Sequence, residues 1–294
     1  MDPRFRGDDT DICHRAFLPL TSTPMARPTV SIIIAAHRAQ GFIAEAVGSA
    51  LAQDLCEIEI VVAPDEAADY GFLAAIDPRV RVLDGVAAST GPGPARNRAL
   101  AEARGRFIAL LDADDLLSPN YLSSLVPLAE KSGVAFGRTR IADWEERVVR
   151  EVAARGDHVG FSDFATAFAS LHGVVRRTSG RAWQSVLAED VLFDLESLSL
   201  AGGTAPFAGD AVYRLRQHGQ SVTRGEAFLA GIGAGYEALM RRVVDGETAI
   251  CPEHHAAANA VWRAWVAMNA RFEAAVAAGD TRDYQAFAAA SSAD

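Results

Sequence analysis

A run of five apolar residues that ends abruptly in a block of acids constrains this chain more than any other feature. The stretch reads GRFIALLDADDLLSPNY, from Gly105 to Tyr121. Phe107 to Leu111 is too short for a helix and is bounded by Gly105 and by Asp112, Asp114 and Asp115. A short continuous apolar run reads as a strand covered on both faces, as inside a parallel sheet. In an open α/β sheet, ligands bind at the carboxyl ends of the strands. Three carboxylates crowded there repel one another unless a cation is shared, and oxygen ligands favour Mg²⁺ or Mn²⁺. The plainer alternative is an acidic turn before the next helix, with Ser118 as N-cap and Pro119 at the first helical position. One acid would serve that purpose, so three favour the metal.

The same alternation runs upstream. Val30–Ala36 is a buried-strand run ending in His37 and Arg38, and Phe42–Gln53 carries apolar residues at helical spacing. Ile58–Ala63 is a second strand, closed by Pro64, Asp65 and Glu66; Tyr70–Ile76 reads as helix and Val80–Leu83 as a third strand. Units of βα size in series predict a parallel sheet. Asp84–Pro94 is a Gly/Pro loop, and the helix predicted after it, Ala95–Ala103, has Arg96, Asn97 and Arg98 in its first turn. Cations there oppose the helix dipole. Either a phosphate sits nearby, or the arginines face solvent and pair with Glu102.

Downstream, helix is expected over Pro119–Lys131, strand over Val134–Ile141, and a surface loop or exposed helix over the charged Asp143–Arg155. Phe161–Ser170 reads as helix with Ser162 as N-cap, and Gly173–Val175 as a short strand. A polar loop with Trp183 follows. Glu189 and Asp190 then open an amphipathic helix that stops at Gly202 and Gly203, an ordinary place for acids on dipole grounds alone. Ala211–Leu215 is a strand leading to His218. After Arg224 the chain turns alanine-rich, with helices expected over Phe228–Val244 and Glu253–Ala278. His254 and His255 read as solvated, and Trp262 and Trp265 as core or an interface stripe.

A net charge of −10 lacks the basic footprint a nucleic-acid partner demands. The three cysteines, Cys13, Cys56 and Cys251, form no CxxC and fit a reducing compartment. No apolar run approaches the length needed to cross a bilayer. Residues 1–24 are charged and aperiodic, and Met25, just before the first strand, is the expected start of translation.

With these pieces in place the chain resembles the family 2 glycosyltransferases of the GT-A fold. The residues that carry the resemblance are VSIIIAAHR (30–38), IEIVVAPDE (58–66), ARNRALAEARGRFIALLDADD (95–115), LAEDVLF (187–193) and YRLRQHGQS (213–221). The resemblance implies an α/β, Rossmann-like, mostly parallel sheet flanked by helices over residues 25–225, with a helical extension over 226–294. It implies a UDP- or GDP-sugar donor and a saccharide or lipid-linked saccharide acceptor. Asp65 would read the base, with Ala35, His37 and Arg38 lining its pocket, although the family places two aspartates directly after the second strand where Ala63 and Pro64 stand here. Arg96 would lie by the diphosphate. Asp112 and Asp114 match the family's DxD, with Asp114 the direct ligand of Mn²⁺ or Mg²⁺, and His218 either joins that metal or caps a loop. Asp190 matches the catalytic base of inverting members. The QxxRW motif of processive members is absent, so one sugar per encounter is expected. A cytoplasmic enzyme is implied, working at or near the inner face of the membrane in polysaccharide or glycolipid synthesis. Two alternatives remain: a non-catalytic nucleotide-sugar module, and a haloacid dehalogenase-like phosphatase using Asp112 as nucleophile.

Overall fold

A computed structural model describes residues 27–178, 181–219, 226–280 and 283–291. The expected tail (1–24), Met25, and the Gln220–Ser221 end of the 213–221 motif lie outside the described residues. The elements before the acidic turn are β1 (Val30–Ala36), α1 (Ile43–Leu51), β2 (Ile58–Pro64), a 3₁₀ turn (Gly71–Ala75), β3 (Val80–Val82), α2 (Pro92–Glu102) and β4 (Phe107–Leu110). After it come β5 (Leu116–Leu117), α3 (Tyr121–Ser132), β6 (Val134–Asp143), β7 (Val148–Val152), β8 (His158–Gly160), α4 (Phe161–Ala167) and β9 (Val174–Arg176). The chain continues through α5 (Glu189–Leu200), β10 (Thr204–Gln217), α6 (Glu226–Val244), α7 (His255–Ala278) and α8 (Tyr284–Ser291).

The sheet order is β3-β2-β1-β4-β9-β6-β10-β5, with β7 added to β6 and β8 to β10. The long ladders, β1 with β2 and β6 with β10, are parallel, and the antiparallel pairings are short. Successive residues of a strand face opposite sides, which explains the unbroken apolar runs. Ile32 and Ile34 join the core under α1 and α3, while Ile33 joins the core under α2, α5 and the C-terminal helices. β1 and β4 sit side by side in the middle, so their ends form the floor of one cleft. Gly105 is required where β4 begins: a Cβ there would lie 2.4 Å from the backbone nitrogen of Ser31.

Several boundaries differ from expectation for identifiable reasons. Helix α2 starts at Pro92, inside the expected loop, because proline is well placed at a first helical position. Arg96 therefore falls in the second turn, away from the dipole's positive end. Helix α3 starts at Tyr121; Ser118 Oγ instead accepts from the Val212 amide at 2.9 Å. Gly160, not Ser162, caps α4, its amide donating to Asp163 Oδ2 at 2.8 Å. The charged stretch Asp143–Arg155 contains β7, which pairs antiparallel with β6. Trp262 and Trp265 are core, packed with Tyr236, and Trp265 Nε1 donates to Phe164 O at 2.8 Å. His254 and His255 are not solvated: His254 pairs with Ser199 Oγ at 2.9 Å and His255 with Ile250 O at 3.1 Å.

Candidate active site

The three acids after β4 each have their own partner. Asp112 Oδ1 accepts from Arg96 Nη2 at 2.6 Å. Asp114 Oδ2 lies 2.9 Å from His218 Nε2. Asp115 is 3% exposed and accepts from Tyr213 Oη at 2.8 Å and from the Arg216 amide at 2.7 Å. Burial and the two neighbouring carboxylates raise the Asp115 carboxyl well above its usual range. Asp114 is raised more moderately, by burial and Asp112, with His218 opposing. Burial also works on Asp112, but Arg96 and His172 outweigh it and hold that carboxyl low. The turn thus contains one carboxylate kept ionised beside two that are pushed toward protonation.

Strand β10 supplies most of these partners. Tyr213 Oη also accepts from the Asp112 amide at 3.0 Å, and Arg216 Nε donates to Asp114 O at 2.5 Å while its Nη1 reaches Glu45. Tyr213 and Arg216 near the end of β10, and His218 just beyond it, hold the DADD turn residue by residue. The His218 ring stacks on Phe42 at 4.7 Å, and Trp144, over the Arg216 guanidinium at 4.4 Å, meets it edge-on at 5.7 Å.

The ARN triplet is spent on three different elements. Arg96, 4% exposed, bridges Asp112 and Glu189, the first residue of α5. Asn97 clamps the backbone of Trp183, accepting from its amide at 2.8 Å and donating to its carbonyl at 2.7 Å. Arg98 donates to Asp84 O at 2.8 Å and to Pro64 O. Glu102, the expected alternative partner, pairs instead with Arg81 at 3.0 Å. Burial depresses the Arg96 charge, but Asp112, Glu189 and Asp190 more than restore it. Burial and Asp190 push the Glu189 carboxyl up to about 7, against the pull of Arg96. Asp190 is half-buried, and its carboxylate takes no hydrogen bond among the described residues. It lines a small pocket with Leu110, two residues before Asp112.

At the ends of β1 and β2, Asp65 is 2% exposed and its carboxylate is fully occupied. It accepts from Ser89 Oγ at 2.6 Å, Thr90 Oγ1 at 2.7 Å, the Thr90 amide at 2.9 Å and the Gly91 amide at 2.8 Å. Burial raises its carboxyl, but those bonds together hold it below the usual range. Ala35 is partly buried at the end of β1, paired in register with Ala63. His37 and Arg38 are exposed beyond it; His37 Nδ1 lies 3.3 Å from Asp65 O, and Arg38 adopts φ +51°.

A divalent cation fits the Asp114–His218 pair: one carboxylate oxygen and one imidazole nitrogen converge within 2.9 Å, a donor set that suits Mn²⁺ when completed by phosphate oxygens. Asp112 is engaged by Arg96 rather than by that pair. Sequence reasoning missed Glu189, Tyr213, Arg216 and His172. An acid in a first helical turn looks the same whether it serves the dipole or a buried arginine, and only the fold separates the two.

Residues 31–173 match the family described as Glycosyl transferase family 2. That match spans just under half of the chain, which is in this segment similar to the family 2 glycosyltransferases. Succinoglycan biosynthesis protein ExoO of Rhizobium meliloti (strain 1021) is 41% identical over 109 residues, covering 36% of this chain and 31% of that protein. The Escherichia coli UDP-Glc:alpha-D-GlcNAc-diphosphoundecaprenol beta-1,3-glucosyltransferase WfgD is 34% identical over 110 residues, 36% of this chain and 43% of its own. The aligned part therefore spans less than half of either relative. Among solved structures, Staphylococcus aureus TarS bound to UDP-GlcNAc superposes with a TM-score of 0.60 at 18% identity, over 77% of this chain and 69% of that one. Mannosyltransferase PcManGT from Pyrobaculum calidifontis, with GDP-Man and Mn²⁺, gives 0.56 at 16% identity, over 92% and 81%. The chain shares the GT-A fold with both. The family match over residues 31–173 is to glycosyltransferases and counts against the dehalogenase-like alternative.

Proposed function

We propose that the protein moves one sugar from a UDP- or GDP-sugar to a hydroxyl of a saccharide or lipid-linked saccharide, with inversion, in cell-surface polysaccharide or glycolipid synthesis. The relatives named for succinoglycan biosynthesis and for a UDP-Glc transferase support that class, and the fold neighbours bound to UDP-GlcNAc or GDP-Man support the donor. The observation that carries the reading is the Arg96 bridge. It ties Asp112 of the DADD turn to the first turn of α5, and so sets Asp190 beside the strand end. A bare binding module has no use for an open carboxylate in that position.

The chemistry follows from charge. The anomeric carbon gains oxocarbenium character as the diphosphate leaves. Asp190, whose carboxylate takes no hydrogen bond among the described residues, takes the acceptor hydroxyl's proton as general base. Attack from that side, opposite the diphosphate, inverts the carbon. Arg96 places a permanent cation at the diphosphate end of the cleft. Asp114 and His218 would hold Mn²⁺ or Mg²⁺, which as a Lewis acid supplies further positive charge to the leaving group. Asp65 acts on the base by pinning the Ser89–Gly91 loop over the ends of β1 and β2, beside Ala35, His37 and Arg38. The same proposal takes residues 25–225 as the transfer domain, 226–294 as its helical extension, and the cytoplasm as its location. Among the described residues, no helix is long and apolar enough to cross a membrane.

Thermal melting against nucleoside diphosphates, with and without Mn²⁺, tests this directly. A ligand at 100-fold its Kd stabilises by about 2.7 kcal/mol. A Mn²⁺-dependent rise with UDP or GDP supports the transferase reading. Absence of any rise with the whole series defeats it.

A further inference from the structure

Two buried nitrogens that have no hydrogen-bond partner among the described residues belong to residues that line the same small pocket as Asp190. They are His172 Nδ1 and Trp183 Nε1. Each residue is only 3% exposed. Buried donors are nearly always satisfied, so a pair of orphans at one pocket calls for an oxygen that they share.

Everything else about the two residues is fixed. His172 holds a left-handed backbone, φ +49°, a conformation that costs free energy in a non-glycine residue. Its amide donates to Ser170 Oγ at 3.1 Å, its carbonyl accepts from Tyr121 Oη at 2.5 Å, and its ring lies flat on Tyr213 at 3.7 Å. The flanking loop is tied to Asp194, which accepts from Ser170 Oγ at 2.7 Å and from the Leu171 amide at 3.0 Å. Trp183 is clamped by Asn97 through its backbone and stacked on Phe193 at 4.3 Å. The contacts around Trp183 leave its indole N–H unused, and those around His172 leave its Nδ1 unused, a donor in the Nδ1–H tautomer.

The chemistry of the pocket selects its occupant. A phosphate is repelled by the carboxylate of Asp190, and a cation has no use for N–H donors. A hydroxyl carries two lone pairs and one proton, the complement of two N–H donors and one carboxylate. We propose that His172, Trp183 and Asp190 form a subsite for a single sugar hydroxyl, which accepts from His172 Nδ1–H and Trp183 Nε1–H and donates to Asp190. This rests on the transferase reading, and the hydroxyl belongs either to the donor's own sugar or to the acceptor.

The test is calorimetric binding to the full chain with Mn²⁺, comparing wild type with Trp183→Phe and His172→Asn. Phenylalanine keeps the stack on Phe193 and deletes only the N–H; asparagine tolerates the left-handed backbone. One arm compares UDP with UDP-glucose and GDP with GDP-mannose. The other adds methyl glucosides and mannosides to protein saturated with the nucleoside diphosphate. Loss of one hydrogen bond corresponds to about a tenfold drop in affinity. Such a drop for the nucleotide sugar, with the nucleoside diphosphate unchanged, supports the subsite and assigns the hydroxyl to the donor. A drop confined to the glycosides supports it and assigns the hydroxyl to the acceptor. Unchanged affinities in both arms, or an equal loss for nucleoside diphosphate and nucleotide sugar, overturn the subsite. A wild-type protein that binds no nucleotide at all overturns the transferase reading itself, and the subsite with it.

Discussion

Arg96 Nη2 donates to Asp112 Oδ1 across 2.6 Å, and the same guanidinium reaches Glu189 through Nη1. One buried cation therefore joins the carboxyl end of the central strand to the start of the helix that carries Asp190. Neither acid tolerates losing it: Asp112 is held ionised mainly by Arg96 against burial, and Glu189 is already raised to about 7.

Replacing Arg96 by Met should therefore destabilise the fold by about 3 kcal/mol, the cost of stranding a buried charge. Urea unfolding measures it. Adding Glu189→Gln to Arg96→Met should recover part of the loss, since it removes one stranded carboxylate. A single variant as stable as wild type would show that the bridge is ornamental.

Asp190→Asn keeps the shape of the first turn of α5 and removes the proton acceptor. The expected outcome is unchanged nucleoside diphosphate affinity with transfer reduced by about 10²–10⁴-fold, the usual worth of a general base. Turnover within a few-fold of wild type would refute the assignment of Asp190.

The Asp114–His218 pair predicts a selective metal effect. Imidazole suits Mn²⁺ better than Mg²⁺. His218→Ala should shrink the Mn²⁺-dependent melting shift with UDP or GDP more than the Mg²⁺-dependent one, and Asp114→Asn should abolish both. Equal shifts in wild type and Asp114→Asn would move the metal away from this turn.

Asp65→Ala strands the Ser89, Thr90 and Gly91 donors at once. Melting should fall by the equivalent of about 3 kcal/mol, taking 1–3 kcal/mol for each unsatisfied group and partial relaxation of the loop. UDP and GDP affinity should fall together, because the residue acts through the loop. A switch in base preference with unchanged stability would instead give Asp65 a direct contact with the base.

The parts of this fold that were legible in the sequence are those whose signal is local. β1 was readable to the residue because both faces of a central strand are buried and its one polar residue, Ser31, is small and leaves the apolar run intact. β7 was not: VVREV is charged because it pairs at the sheet's margin, where Arg150 turns inward to bond Ala167 O at 2.6 Å. β10 hid behind Pro206, which pairs with His158 of β8, and behind Gly209 and Asp210, which belong to its irregular register between Ala208 and Val212. In the site, the acids of the DADD turn announced themselves by crowding. Their partition among Arg96, His218 and Tyr213 did not, because each partner arrives from a distant element and only packing brings it in.

Asp194 gives the fold a pH dependence of unusual sign. It is 3% exposed, and burial, with the charge of Asp190 adding, raises its carboxyl to about 7 despite hydrogen bonds from Ser170, Leu171 and Gly173. The unfolded chain titrates near 3.8. The folded state therefore holds its proton more tightly than the unfolded one between those values, so this group's contribution is complete below about pH 4 and lost as pH rises through about 7. Its size is on the order of a few kcal/mol, at 1.36 kcal/mol per unit. Asparagine reproduces the protonated form: its carbonyl can take the place of Oδ2, which accepts from both Ser170 Oγ and the Leu171 amide. Asp194→Asn should therefore match wild type below about pH 3.8 and exceed it at pH 8, with the difference opening between about pH 4 and about pH 7 in urea unfolding. A variant that is less stable than wild type at pH 8 would show that the carboxylate, and not the acid, is the form this loop is built around.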